Sequence, residues 1–94
     1  MRFKIPVQPV NTLNLMRGLG YSPHFDNGSY IRRLSRQDYP HYHAYLNEQP
    51  SVIEISLHLD QKGACYQGQT AHSGEYGGEQ LAEERDRIIQ LLEN

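Results

Sequence analysis

The sequence predicts an α+β domain in the order α-β-β-β-α, a three-stranded antiparallel sheet with two helices on one face. Three stretches carry this. Ser51 to Asp60, SVIEISLHLD, alternates strictly: Ile53, Ile55, Leu57 and Leu59 share one side, and Glu54, Ser56, His58 and Asp60 the other. A period of two rich in β-branched residues is the pattern of a half-buried strand. From Glu79 to Glu93 the apolar residues Leu81, Ile88, Ile89 and Leu92 recur at helical spacing, with Arg85 flanking the stripe. A second helical stretch begins at Asn11 or Thr12, either of which can cap the first turn, runs through Leu13, Met16 and Leu19, and stops at Gly20.

The remaining elements follow in order. Residues 1–10 are extended, because Pro6 and Pro9 forbid a regular helix, and Arg2 to Ile5 could add an edge strand. Tyr21 to Phe25 is irregular or a short strand. Asp26-Asn27-Gly28 is a turn signal, since Asn and Gly tolerate positive φ. Ser29 to Leu34 is the first strand of the predicted three. Its facing is open between Ile31 inward and Tyr30 with Leu34 inward, and either choice leaves one of Arg32 and Arg33 on the open face.

His41 to Asn47 is the second strand. Tyr42, Ala44 and Leu46 suit the core side, and His41, His43, Tyr45 and Asn47 the open side. Keeping its apolar face with that of Ser51–Asp60 requires an even-length loop. A loop over residues 48–51 pairs Leu46 with Ile53, Ala44 with Ile55 and Tyr42 with Leu57. On the polar side it pairs Tyr45 with Glu54, His43 with Ser56 and His41 with His58. Residues 61–78, QKGACYQGQTAHSGEYGG, form a long polar glycine-rich loop, of a length usually tied to function or mobility. Acidic residues fill the first turns of the final helix, where they suit its dipole.

A chain of 94 residues makes a single domain, 1–94, with a modest core. No apolar run approaches a membrane span, and the N-terminal stretch lacks the apolar core of a signal peptide, so a cytoplasmic location without membrane contact is expected. Cys65 is the single cysteine, which excludes an internal disulfide and a thiolate-cluster metal site. Charge divides unevenly. Residues 1–47 set six cations against two anions, +4, and residues 48–94 set three cations against nine anions, −6. A net charge of −2 disfavours general nucleic-acid binding, while a basic patch on the first half could hold phosphates. The opposed halves also suggest self-association, as in a homodimer.

Chemistry has two places to gather. His41, His43, His58 and Asp60 project from adjacent strands on the open face, and His72 lies in the following loop. Imidazole and carboxylate ligands at facing strand positions suit a divalent metal, zinc or manganese. The same face could instead work by acid–base catalysis, with His43 and His58 as the catalytic pair and an arginine binding phosphate. The second place is His72 to Gly78, whose glycines allow close backbone approach before a helix N-terminus; it lacks a phosphate-loop lysine. Among the tyrosines, Tyr30 or Tyr45 on the open face beside an arginine could stack on a base; otherwise these rings seal a sheet edge or an interface.

The run LMRGLGY through DNGSYIRRL resembles the HicA-type mRNA interferase toxins, and with them the double-stranded-RNA-binding-domain fold. In that family a helix ending in a Leu-Gly-Phe-like step leads to Gly-Ser-His at the start of a strand. The matching residues are Gly28, Ser29 and Tyr30, so a tyrosine stands where the family has its catalytic histidine. The resemblance implies the fold; with the basic first half it gives the expectation of a small binding domain that contacts RNA or a protein through its open sheet face and the 61–78 loop, with Arg32, Arg33, Arg36 and Tyr45 as nucleic-acid contacts. The alternative from the histidine face is a metal-dependent or acid–base phosphoesterase or nuclease.

Overall fold

A computed structural model describes residues 1–24, 28–61 and 78–93. It is α+β, with the strands β1 (Arg2–Pro6), β2 (Ser22–Pro23), β3 (Tyr30–Arg33), β4 (His41–Glu48) and β5 (Val52–Asp60), and the helices α1 (Thr12–Gly18) and α2 (Gly78–Glu93). The sheet has five strands rather than three, all antiparallel, in the order β1-β5-β4-β3-β2. The two extra strands lie at its edges. β1 adds to β5 because Phe3 and Ile5 then face the core, and Ile5 is fully buried. β2 is two residues long, too short for any period to show in sequence.

The facing of β4 and β5 is as expected, but their register is not. Tyr42 pairs with Leu59, Ala44 with Leu57 and Leu46 with Ile55; opposite faces carry His41 with Asp60, His43 with His58 and Tyr45 with Ser56. Each pair is shifted by two residues from the expected one. The hairpin closes more tightly than a four-residue loop: the Gln49 N–H donates to the Val52 carbonyl at 2.9 Å, leaving Pro50 and Ser51 as the turn. Shortening an even loop by two keeps every side chain on its face. It also brings Asp60, rather than His58, opposite His41.

α1 has only seven residues, well below the roughly 12–15 that an isolated helix needs. Its ends and one face hold it. The Asn11 side chain accepts from the Asn14 N–H at 2.8 Å. At the other end Gly20, with φ +93°, lets the Tyr21 N–H reach the Met16 carbonyl and the Gly20 N–H the Arg17 carbonyl, a Schellman closure. Leu15 and Met16 bury against Tyr21, Ala44, Ile55 and Leu57, and Leu81 and Ile88 of α2 join the same core. Leu13 is exposed.

The face of α2 includes a residue that its apolar stripe does not announce. Glu84 is 3% exposed. Its carboxylate accepts from the Tyr21 hydroxyl at 2.6 Å, from Arg87 at 2.8 Å through two nitrogens, and from Arg32 at 3.3 Å. Arg87 also donates to the Leu19 carbonyl at 2.7 Å. A buried carboxylate is tolerable only when paired in this way. The network ties α2 to the end of α1 and to β3. Burial, followed by the hydrogen bond to Glu84, pushes the Tyr21 hydroxyl pKa far above its ordinary value. The hydrogen bonds to Glu84, against some desolvation, raise that of Arg87. Among the described residues, no helix is long and apolar enough to cross a membrane.

Candidate metal centre

β3 resolves its facing by turning Tyr30 toward the core, so that Ile31 and Arg33 share the opposite side with His43 and His41. Arg32 thereby falls on the helix side, paired with Glu84 and lying 5.8 Å from the Tyr42 ring centroid. Of the four expected nucleic-acid contacts, Arg33, Arg36 and Tyr45 are exposed and Arg32 is half-buried in its ion pair. Leu34 is exposed.

On the side away from the helices, β4 and β5 bring three histidines onto one carboxylate. His41 Nε2 lies 3.2 Å and His43 Nδ1 3.0 Å from Asp60 Oδ2, and His58 Nδ1 lies 3.2 Å from Asp60 Oδ1. One ligand atom from each of His41, His43 and Asp60 falls within 4.8 Å of the others, so this group could hold a metal ion. His58, more exposed, belongs to the cluster through the second Asp60 oxygen. His72 lies outside the described residues, as does the rest of 62–77.

This end of the face is not open to water. His41 and His43 are each 7% exposed. Rings cover them: His24 sits 5.2 Å from His43, Tyr39 4.8 Å from His41, and Tyr45 is stacked 4.5 Å from His43. The alternation of β4 showed which way these histidines point but not what lies over them.

Both buried rings are braced at their far nitrogens. His41 donates its Nδ1–H to the Asp38 carbonyl at 2.6 Å. His43 Nε2 is 2.8 Å from the Ser29 hydroxyl, and Ser29 is 1% exposed. Histidines that hold metals are braced in this manner by carbonyls and hydroxyls, which fix the tautomer. With His41 Nδ1 donating, Nε2 faces the Asp60 carboxylate attractively only if it carries a second proton or if a cation lies between them. His43 has two alternatives. Donating Nε2–H to Ser29 frees Nδ1 as a ligand. Receiving the Ser29 proton at Nε2 and donating Nδ1–H to Asp60 gives the hydrogen-bond chain of a Ser-His-Asp relay. The burial of Ser29 keeps that hydroxyl from a substrate in this conformation.

Asp60 is the electrostatic centre. Partial burial pushes its carboxyl pKa up, but hydrogen bonds from His43 and His58 and their positive charge pull harder, leaving it below the ordinary 3.8. It is therefore an anion near neutral pH, as a ligand or relay requires.

Sequence reasoning found His41, His43, His58 and Asp60. It missed Ser29 as a partner of His43, although Ser29 shares the parity of Ile31 and Arg33 once Tyr30 is turned inward. It also missed His24 and the Asp38 carbonyl, which lie in segments without periodicity. No family model, curated protein or solved structure matches the chain. What the cluster can do follows from its atoms.

Proposed function

We propose that the protein is a small metal-dependent phosphoesterase whose ion, zinc or manganese, is held by His41, His43 and Asp60. The observation that carries this is the convergence of two braced imidazoles on one carboxylate. A set of three protein ligands leaves a fourth position for water or substrate, as in catalytic rather than structural zinc sites, and the cavity that His41 lines is the approach to it. Such an ion, when bound, acidifies water and polarises a phosphoryl oxygen. Ser29 and the Asp38 carbonyl hold the ligand rings in place. Hydrolysis leaves the water oxygen on phosphorus and requires a proton at the departing alkoxide. His58, on the exposed side of Asp60, supplies that proton as general acid.

The test is hydrolysis of p-nitrophenyl phosphate, a one-ring ester, by protein loaded with zinc or manganese. Turnover that disappears on chelation and in His41→Ala is expected. A protein that binds neither metal, or that binds one and turns nothing over, would refute the proposal.

A second reading takes the protein as a HicA-like domain that contacts RNA. It is favoured by the rings of Tyr45 and His58, which are stacked 5.2 Å apart at 17° on an exposed stretch of sheet. Bases stack on such platforms, with Arg33 and Arg36 available for phosphates. Binding of a single-stranded RNA oligonucleotide that weakens at least fivefold in Tyr45→Ala would support it; indifference to that change would remove it.

A further inference from the structure

Beside the metal cluster, between β2, β3 and the turn entering β4, lies a cavity of about 270 Å³. Its walls include Ile31, Arg33, Tyr39, His41 and His24. Two of these also touch the cluster: His41 belongs to it, and the His24 ring lies against His43. From this we infer that the cavity is a substrate pocket for a compact phosphate ester, with Arg33 binding the phosphate and the ring-lined wall taking a single ring of the ester's alcohol part. The inference rests on the phosphoesterase proposal for the chemistry, but not for the binding.

Charge and shape both support it. Arg33 lies directly across the strand pair from His41, on the same face. Its partner is Asp38, through a 3.2 Å contact between largely exposed side chains. Such pairs contribute little, at most about 1 kcal/mol, so a phosphate can displace the Asp38 carboxylate into solvent. A guanidinium offers two parallel donors to a phosphate, a better match than one contact to a carboxylate oxygen. Two rings line it, Tyr39 and His41, 4.8 Å apart and tilted by 31°, and Ile31 adds an aliphatic wall. The volume falls just below the range of drug-sized ligand sites, about 300 to 1,000 Å³, as suits a smaller ligand. It admits a phosphate with one ring and excludes a nucleic-acid duplex.

The experiment is a titration with phenyl phosphate and with inorganic phosphate, on chelator-treated and on zinc-loaded protein. Both forms are expected to bind phenyl phosphate, more tightly than inorganic phosphate by about fivefold. Arg33→Gln is expected to weaken both ligands about tenfold. Ile31→Trp, which fills the cavity, is expected to abolish phenyl phosphate binding without changing zinc stoichiometry. Should Ile31→Trp fail to fold, Tyr39→Ala replaces it and is expected to weaken phenyl phosphate alone, by several-fold. No binding by either form of the parent, or equal binding in parent and variants, overturns the pocket. Zinc stoichiometry is read separately: a parent that binds phenyl phosphate but no zinc sinks the metal centre and leaves the pocket standing.

Discussion

Ser29 and His43 form a buried hydrogen bond, with the serine hydroxyl 2.8 Å from Nε2. His43 Nδ1 faces Asp60, and whether Nε2 donates to the serine hydroxyl or accepts from it sets whether Nδ1 is free as a ligand or carries a proton. If His43 is a metal ligand, Ser29 acts as an acceptor that orients it. Ser29→Ala should then lower zinc affinity about 10- to 100-fold while leaving one zinc per chain. Ser29→Thr, which restores the hydroxyl, should recover most of the loss. Cobalt substituted for zinc would show a changed visible spectrum in the alanine variant. Equal zinc affinity in all three proteins would show that the hydroxyl does not orient a ligand.

The relay alternative for the same three residues makes a different prediction. A serine nucleophile would be labelled covalently by a fluorophosphonate, and Ser29→Ala would abolish labelling. The 1% exposure of Ser29 argues that no label will be found. Intact mass after incubation checks this, and stoichiometric labelling that Ser29→Ala removes would reverse the assignment of His43.

Asp60 links the cluster to pH. Its carboxyl is held below 3.8 in the folded chain by His43 and His58, against the opposing effect of burial. A carboxyl depressed on folding adds stability that is fully present above its unfolded pKa and is lost as pH falls through the folded value. The parent should therefore lose this increment below about pH 4. Asp60→Asn lacks the increment, so the stability gap between the two proteins should shrink as pH falls from 5 to 3. Urea unfolding of metal-free protein at several pH values measures the gap, and a gap independent of pH would remove Asp60 as its source.

Much of this architecture was legible in sequence, and the omissions have physical causes. The alternation of Ile53 to Leu59 and of Tyr42 to Leu46 fixes which faces meet, so parity was recoverable. Register was not, because a loop of two and a loop of four preserve the same faces. Of the edge strands, Arg2 to Ile5 was recognisable as an addition to the sheet, whereas the two residues of β2, inside a segment readable as irregular or as a short strand, are too few to show a period. The histidines of the cluster were visible because they sit on regular strands. Their cover was not, since His24 and Tyr39 lie in irregular segments, where sequence spacing carries no direction. Glu84 was hidden for another reason. In an acidic first half of a helix, one buried carboxylate looks like its solvated neighbours until Tyr21, Arg32 and Arg87 are seen around it.

That carboxylate supports the last prediction. Glu84 accepts a hydroxyl proton from Tyr21 and faces two arginines in a region otherwise filled with apolar side chains. Removing it would take this acceptor from the Tyr21 hydroxyl and from Arg32, while Arg87 would keep its bond to the Leu19 carbonyl. Cutting one partner from a buried ionic network costs roughly 3–5 kcal/mol, and the partial exposure of both arginines places Glu84→Ala toward the lower figure. Tyr21→Phe removes only one hydrogen bond and should cost about 1 kcal/mol. Because both act on one network, the double variant should be less destabilised than the sum of the singles. The network lies on the opposite side of the sheet from Asp60, so neither change should alter zinc affinity in protein that remains folded. Denaturant melts with a zinc titration of each variant test both halves. Destabilisation below 1 kcal/mol in Glu84→Ala would mean that water replaces the carboxylate readily, and a large loss of zinc affinity would mean that the two faces are coupled through β3 and β4.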